Sequence, residues 1–146
     1  MPVEKSAGVI FFRKKPEGLH YLVIRSTPSE RFPLPREHWD FAKGLLENGE
    51  DGLKAAKREA EEEVGLKHFK VIPGFKEVAQ YFTTRDGKRA MKFVAMFLAE
   101  AGADQITLSW EHDKYDWLLY EEAREKISNS QMKKVLEKAH EFLSSR

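Results

Sequence analysis

Glu59, Glu62 and Glu63 are the residues in this chain whose type and spacing could do chemistry. Positions three and four apart are neighbours on a helical surface, so these three carboxylates converge along one edge if the segment is helical. Carboxylates brought that close repel one another and destabilise the fold unless a cation sits among them. The natural occupant is a hard divalent ion that prefers oxygen ligands, Mg²⁺ or Mn²⁺. Such an ion polarises the oxygens bound to it and lowers the pKa of a bound water. The competing reading is a solvated helix face, the ordinary meaning of four glutamates in five residues. Glu61, which points away among Lys54 and Lys57, takes that second reading. Arg58, four residues before Glu62, is spaced for a helix ion pair.

The elements that must position these groups follow from the pattern around them. Glu50 and Asp51 precede a run of good helix formers, Leu53 to Val64, and Gly65 is placed to end it in a left-handed conformation. At 100° per residue, Leu53, Ala56, Ala60 and Val64 form the core face of this helix. Upstream, Ser6 to Phe12 and Leu19 to Arg25 are short β-prone runs separated by turn chemistry at 14–18. Three prolines between Ser26 and Gly44 predict a surface loop leading to a short strand near Trp39 to Ala42. Downstream, apolar runs from Phe69 to Phe82 and from Arg89 to Glu100 flank Asp86-Gly87, a hairpin signal. Tyr115 to Tyr120 reads as a strand, Glu121 to Ile127 as a short helix, and Gln131 to Leu143 as a longer one. Its core stripe is Met132, Val135, Leu136, Ala139 and Phe142 or Leu143, with Ser128, Asn129 and Ser130 as cap candidates. Strands in the middle with helices after the glutamates and at the end predict an α/β sheet covered on both faces.

A chain of 146 residues has room for one domain, 1–146, with one core. With 25 basic against 24 acidic residues the net charge is +1, so no bulk field argues for stable nucleic-acid or membrane binding, and any anion site must be local. The absence of cysteine excludes disulfides and thiolate metal sites. The apolar run near the start is too short for a membrane span or a signal core, which makes a cytoplasmic location the expectation.

Gly44, five residues, Glu50, seven residues, then Arg58-Glu59-Ala60-Glu61-Glu62-Glu63-Val64-Gly65-Leu66 carries every fixed position of the Nudix box, and the chain resembles the Nudix hydrolases on those residues. The resemblance implies an α/β/α sandwich around a mixed β-sheet and a metal-dependent attack of water on a phosphorus of a nucleoside diphosphate linked to another group. It also implies metal ligation by Glu62, Glu63 and the Gly44 carbonyl, and Glu59 as a ligand or as the base. Arg58 becomes an orienting partner for a box carboxylate, with Glu50 in a supporting role.

The flanks are similar to the asymmetrical diadenosine tetraphosphate hydrolases within that family. His38-Trp39 stands three residues before Lys43-Gly44, Tyr81 sixteen after Gly65, Lys92 opens KFVAMFLAE, and SWEHDKYDW covers Ser109 to Trp117. The resemblance implies substrate contacts from His38, Lys43, Tyr81 and Lys92, and makes Glu111 a metal ligand or the general base. Two readings stand for each of several residues. His38 is a phosphate donor or an ordinary loop histidine, Tyr81 stacks on adenine or packs in the core, and His112 and Trp117 fit structural roles. Ala42, where relatives carry proline, Asn129, where animal relatives carry an aromatic ring, and four extra residues between Tyr81 and Lys92 depart from the pattern. The expected function is cleavage of diadenosine tetraphosphate, a small nucleotide substrate, to ATP and AMP. The alternatives are a broader pyrophosphohydrolase acting on nucleoside triphosphates, triphosphate RNA ends or inositol pyrophosphates, and a non-catalytic nucleotide-binding module.

Overall fold

Residues 6–12 are buried without a break, as expected of a strand covered on both faces, and they form the middle of β1, Val3–Lys15. The structure, a computed structural model, describes residues 1–27, 38–103 and 105–146. The proline-bearing part of the predicted loop, 28–37, lies outside the described residues. β2 (Gly18–Ser26) returns antiparallel to β1, and β3 (Trp39–Asp40) pairs with β2. β4 (Ala42–Leu45) pairs with β1. The single strand expected near Trp39 to Ala42 is thus two, with Phe41 between them and its N–H donating to the Asp40 carboxylate at 2.8 Å.

Helix α1, Gly52–Val64, forms where predicted. Asp51 caps its first turn by accepting the Lys54 N–H, and Gly65 ends it at φ 72°, a conformation glycine adopts without a Cβ clash. The core face is rotated from the predicted one. Ala55 and the carboxylates of Glu59 and Glu63 are buried with Ala56, Ala60 and Val64, while Leu53 is only half-buried. The helix packs on β1 and β4 along the edge that bears the glutamates, so tertiary contact turned the stripe.

The apolar run from Phe69 to Phe82 divides, because Pro73 and Gly74 cannot continue a ladder. β5 (Phe69–Val71) pairs with the far end of β7 (Lys88–Ala101), and β6 (Glu77–Arg85) with its near end. Asp86 and Gly87, both at positive φ, make the tight hairpin turn between β6 and β7 that their sequence predicts. β8 (His112–Leu119) pairs with β2 and leads into α2 (Tyr120–Lys126). Asn129 then caps α3 (Ser130–Ser144) by accepting the N–H groups of Gln131 and Met132, a cap worth about 1 kcal/mol.

β1 and β7 run parallel in register from Val3↔Met91 to Phe12↔Glu100, and every other pairing among the described residues is antiparallel, so the sheet is mixed. Alternation sorts its side chains into two cores. Ile10, Phe12, Val94, Met96 and Leu98 pack with Ala123 of α2 and Met132, Val135, Leu136 and Ala139 of α3. Ala7, Val9, Phe11 and Ala99 pack with Ala55, Ala56, Ala60 and Val64 of α1. The expected layering, helices on both faces of a mixed sheet, is what the chain adopts.

Candidate active site

β4 joins the two faces of the sheet. Ala42 belongs to the α1 core and successive strand residues alternate, so Lys43 faces the α3 side while Gly44 faces α1. Glu63 Oε1 accepts the Lys43 backbone N–H at 3.0 Å, which binds the end of α1 to this strand. A Cβ on Gly44 would overlap the Glu59 carboxylate, so glycine here is a matter of close approach.

Arg58 organises the carboxylates. Its Nε and Nη2 donate to Glu50 at 2.7 and 3.0 Å, Nη1 donates to Glu59 at 2.9 Å and Glu62 at 3.1 Å, and Nη2 also reaches the Leu45 carbonyl at 3.0 Å. The predicted pair with Glu62 is therefore one of several bonds, and the residue acts as an orienting partner rather than a surface cation. Its hydrogen bond holds the Glu50 carboxyl well below the usual carboxylate range.

Glu59 and Glu63 are only 9% and 7% exposed, and burial raises both pKa values. For Glu59 the desolvation outweighs Arg58; for Glu63 it is joined by the negative fields of Glu59 and Glu111, and the carboxyl is pushed up to about 8. Glu62 is more exposed and is held only through Arg58. Glu111 stands on a turn, Ser109 to His112, closed by His112 N–H donating to the Ser109 carbonyl at 3.1 Å. The Ser109 N–H donates to the Glu63 carbonyl at 3.0 Å and the Glu111 carbonyl accepts from Thr27 at 2.7 Å, so the turn is tied down on both sides.

On the α3 face lies a second cluster of ionisable groups. Lys43 Nζ pairs with the buried Asp40 carboxylate at 3.1 Å. Burial alone would lower the Lys43 pKa, but Asp40, Tyr81 and Glu63 overcome it and the net shift is upward. Tyr81 and Lys92 are cross-strand partners, and Lys92 is buried. Tyr81 is partly buried against the α3-side core and hydrogen-bonded to Lys43, with its pKa raised by burial. His38 is driven toward its neutral form by burial, against the pull of Asp40 and with the help of Lys43 and Lys92. Ser6 and Gly8 sit on one face of β1, and a Cβ on Gly8 would overlap the Ala42 carbonyl and the Lys43 side chain.

The NUDIX domain profile matches residues 2–139 of this chain. The chain belongs to the Nudix family. It is 36% identical over 150 residues to the asymmetrical bis(5'-nucleosyl)-tetraphosphatase of Mus musculus, covering 97% of this chain and 96% of that protein. It is 30% identical over 151 residues to the Sus scrofa protein of the same name, with the same coverage. A solved C. elegans Ap4A hydrolase binary complex superposes with a TM-score of 0.83 at 28% identity, over 98% of this chain and 99% of that one.

Nudix hydrolases generally need divalent metal ions. Among the described residues no three acidic or histidine side chains are drawn together as a cage. Arg58 takes Glu59 and Glu62, and the Lys43 N–H takes Glu63. The donor set nonetheless suits such an ion: hard carboxylate oxygens from adjacent turns, and an environment that raises Glu59 and Glu63, which a nearby cation would reverse.

Sequence reasoning passed over Asp40 and Ser6 and gave His112 a structural role. Asp40 is buried and fixes Lys43, and its three-residue spacing from Lys43 was the available signal. Ser6 Oγ and His112 Nδ1 are buried with no hydrogen-bond partner, and burial pushes the His112 imidazole down to about 4. Nothing local in the sequence marks Ser6, and His112 is marked only by the SWEHDKYDW resemblance.

Proposed function

We propose that the protein hydrolyses diadenosine tetraphosphate asymmetrically, to ATP and AMP, by attack of water on a phosphorus of the polyphosphate chain. The observation that carries the reading is the adjacency of Lys43 and Gly44. One places a cation on the α3 face and the other opens onto the carboxylates on the α1 face, within two residues of one strand. A polyphosphate lying across this strand meets lysines at one end and carboxylates at the other. Full-length similarity to relatives named for this activity supports the same substrate.

Glu59, Glu62, Glu63 and the Gly44 carbonyl would hold Mg²⁺ or Mn²⁺, with Glu111 completing the set or serving as base. Bound there, the ion would neutralise the phosphate oxygens and make the phosphorus more electrophilic. Lys43 and Lys92 bind the remaining phosphates, with Asp40 holding the Lys43 ammonium in place. His38 donates to a phosphate oxygen. Tyr81 packs an adenine against its ring. Glu111, whose field reaches Glu59 and Glu63, accepts the proton released by the attacking water. The distance from the adenine site to the carboxylates fixes which phosphorus is attacked, hence the asymmetry.

The test is product analysis. Purified protein with Mg²⁺ is incubated separately with diadenosine tetraphosphate, ATP and a triphosphate-ended RNA. ATP plus AMP from the dinucleotide, at much higher kcat/KM than the other two, is the expected result. An intact dinucleotide with another pyrophosphate cleaved would overturn the substrate.

A further inference from the structure

Trp110 is 85% exposed, the most exposed of the large apolar side chains among the described residues. The other two tryptophans are accommodated: Trp39 is buried at 6%, and the Trp117 ring lies under the Arg13 guanidinium at 4.2 Å. An indole left in water on a turn gains nothing for the fold. Yet the turn itself is held firmly, by Ser109 N–H to the Glu63 carbonyl, by His112 N–H to the Ser109 carbonyl, and by Thr27 N–H to the Glu111 carbonyl. The ring is therefore presented from a fixed backbone, one residue from Glu111 and beside the end of the helix that carries Glu59 and Glu63.

This inference rests on the proposed dinucleotide substrate. Such a substrate carries a base at each end of its phosphate chain. Tyr81, Lys92 and Lys43 lie together on the α3 face and accommodate one nucleoside and the phosphates next to it. The carboxylates lie against Gly44, and the Ser109 to His112 turn is bonded to the Glu63 end of their helix, which places it beyond the carboxylates from Tyr81. We infer that Trp110 is the stacking platform for the second nucleobase of the substrate, the one beyond the scissile phosphate from Tyr81. An exposed indole suits this role: stacking needs an open ring face, tolerates any base, and tightens binding without taking part in the reaction. The subsite would recognise a purine or pyrimidine ring and would be empty in substrates with a single nucleoside.

The test compares diadenosine tetraphosphate with adenosine 5'-tetraphosphate, which has the same phosphate chain and one base. Trp110→Ala is expected to raise KM for the dinucleotide about tenfold, to leave KM for the single-base substrate unchanged, and to leave kcat nearly intact for both. Trp110→Tyr should restore most of the dinucleotide KM. Quenching of tryptophan fluorescence by the dinucleotide, measured with metal chelated, should be present in the wild type and largely lost in Trp110→Ala. Equal KM changes for the two substrates, or no change for either, overturn the platform while leaving the enzyme's substrate in place. Failure of the wild type to cleave the dinucleotide overturns the substrate reading and the platform with it.

Discussion

The Glu63 side chain accepts the backbone N–H of Lys43 at 3.0 Å, so one hydrogen bond links the last turn of the glutamate helix to the strand that carries Lys43. A shift of that strand would move the lysine and the carboxylate together. The two halves of the site are thereby kept in register.

Glu63→Gln separates the charge from this hydrogen bond. The amide oxygen can still accept from Lys43, so the melting temperature should stay close to wild type, and the buried position no longer has to ionise. Turnover should fall at least about a hundredfold, since even partners that merely orient a ligand are worth 10- to 100-fold. An unchanged kcat would refute the role of Glu63.

Gly44→Ala tests the close approach. The new methyl overlaps the Glu59 carboxylate, a flexible side-chain end that can swing aside, so the fold should survive. The carboxylate then leaves its place and the Arg58 Nη1 bond at 2.9 Å is broken. The expected result is a loss of kcat of about a hundredfold with a small loss of stability, measured by steady-state kinetics and thermal melting. Full activity would show that Glu59 works from another position.

Tyr81→Ala should raise KM for the dinucleotide more than it lowers kcat, because stacking on a base is largely uniform binding. The ring is also partly buried against the α3-side core, so a melting curve must accompany the kinetics. An effect on kcat alone would assign Tyr81 to positioning Lys43 instead.

His140 makes a pH-dependent contribution to stability that a single variant isolates. Its Nδ1 lies 2.7 Å from the Tyr21 hydroxyl, and its ring stacks on Tyr120 at 4.0 Å with 5° between planes. Burial lowers its pKa against a weaker upward pull from Glu121. The folded protein therefore binds fewer protons at this site than the unfolded chain, whose histidine titrates near 6.5. The stabilisation is fully present above that value and is lost as pH falls through the lower folded pKa. Melting temperatures of wild type and His140→Gln should differ most near pH 8 and converge as pH is lowered below about 6.5. A gap that stays constant or widens would contradict this.

The glutamate-bearing helix was legible because its instructions are local. Asp51 at its start, Gly65 at its end and the three- and four-residue spacing of the glutamates depend on nothing elsewhere in the chain. The hairpin at Asp86-Gly87, the α3 stripe and the Asn129 cap were legible for the same reason, as was the layered α/β order. What the sequence could not supply was decided by packing between distant segments. The docking of α1 on β1 and β4 rotated the helix so that Glu59 and Glu63 became buried, and burial is the largest cause of their raised pKa values, with the neighbouring carboxylates adding to it. Likewise, Asp40 meeting Lys43, Gly8 admitting the close approach of β4, and Ser109 anchoring the Trp110 turn to α1 all depend on how distant segments pair. Local pattern specifies elements and their faces; only the closed sheet specifies which faces share a solvent-excluded space.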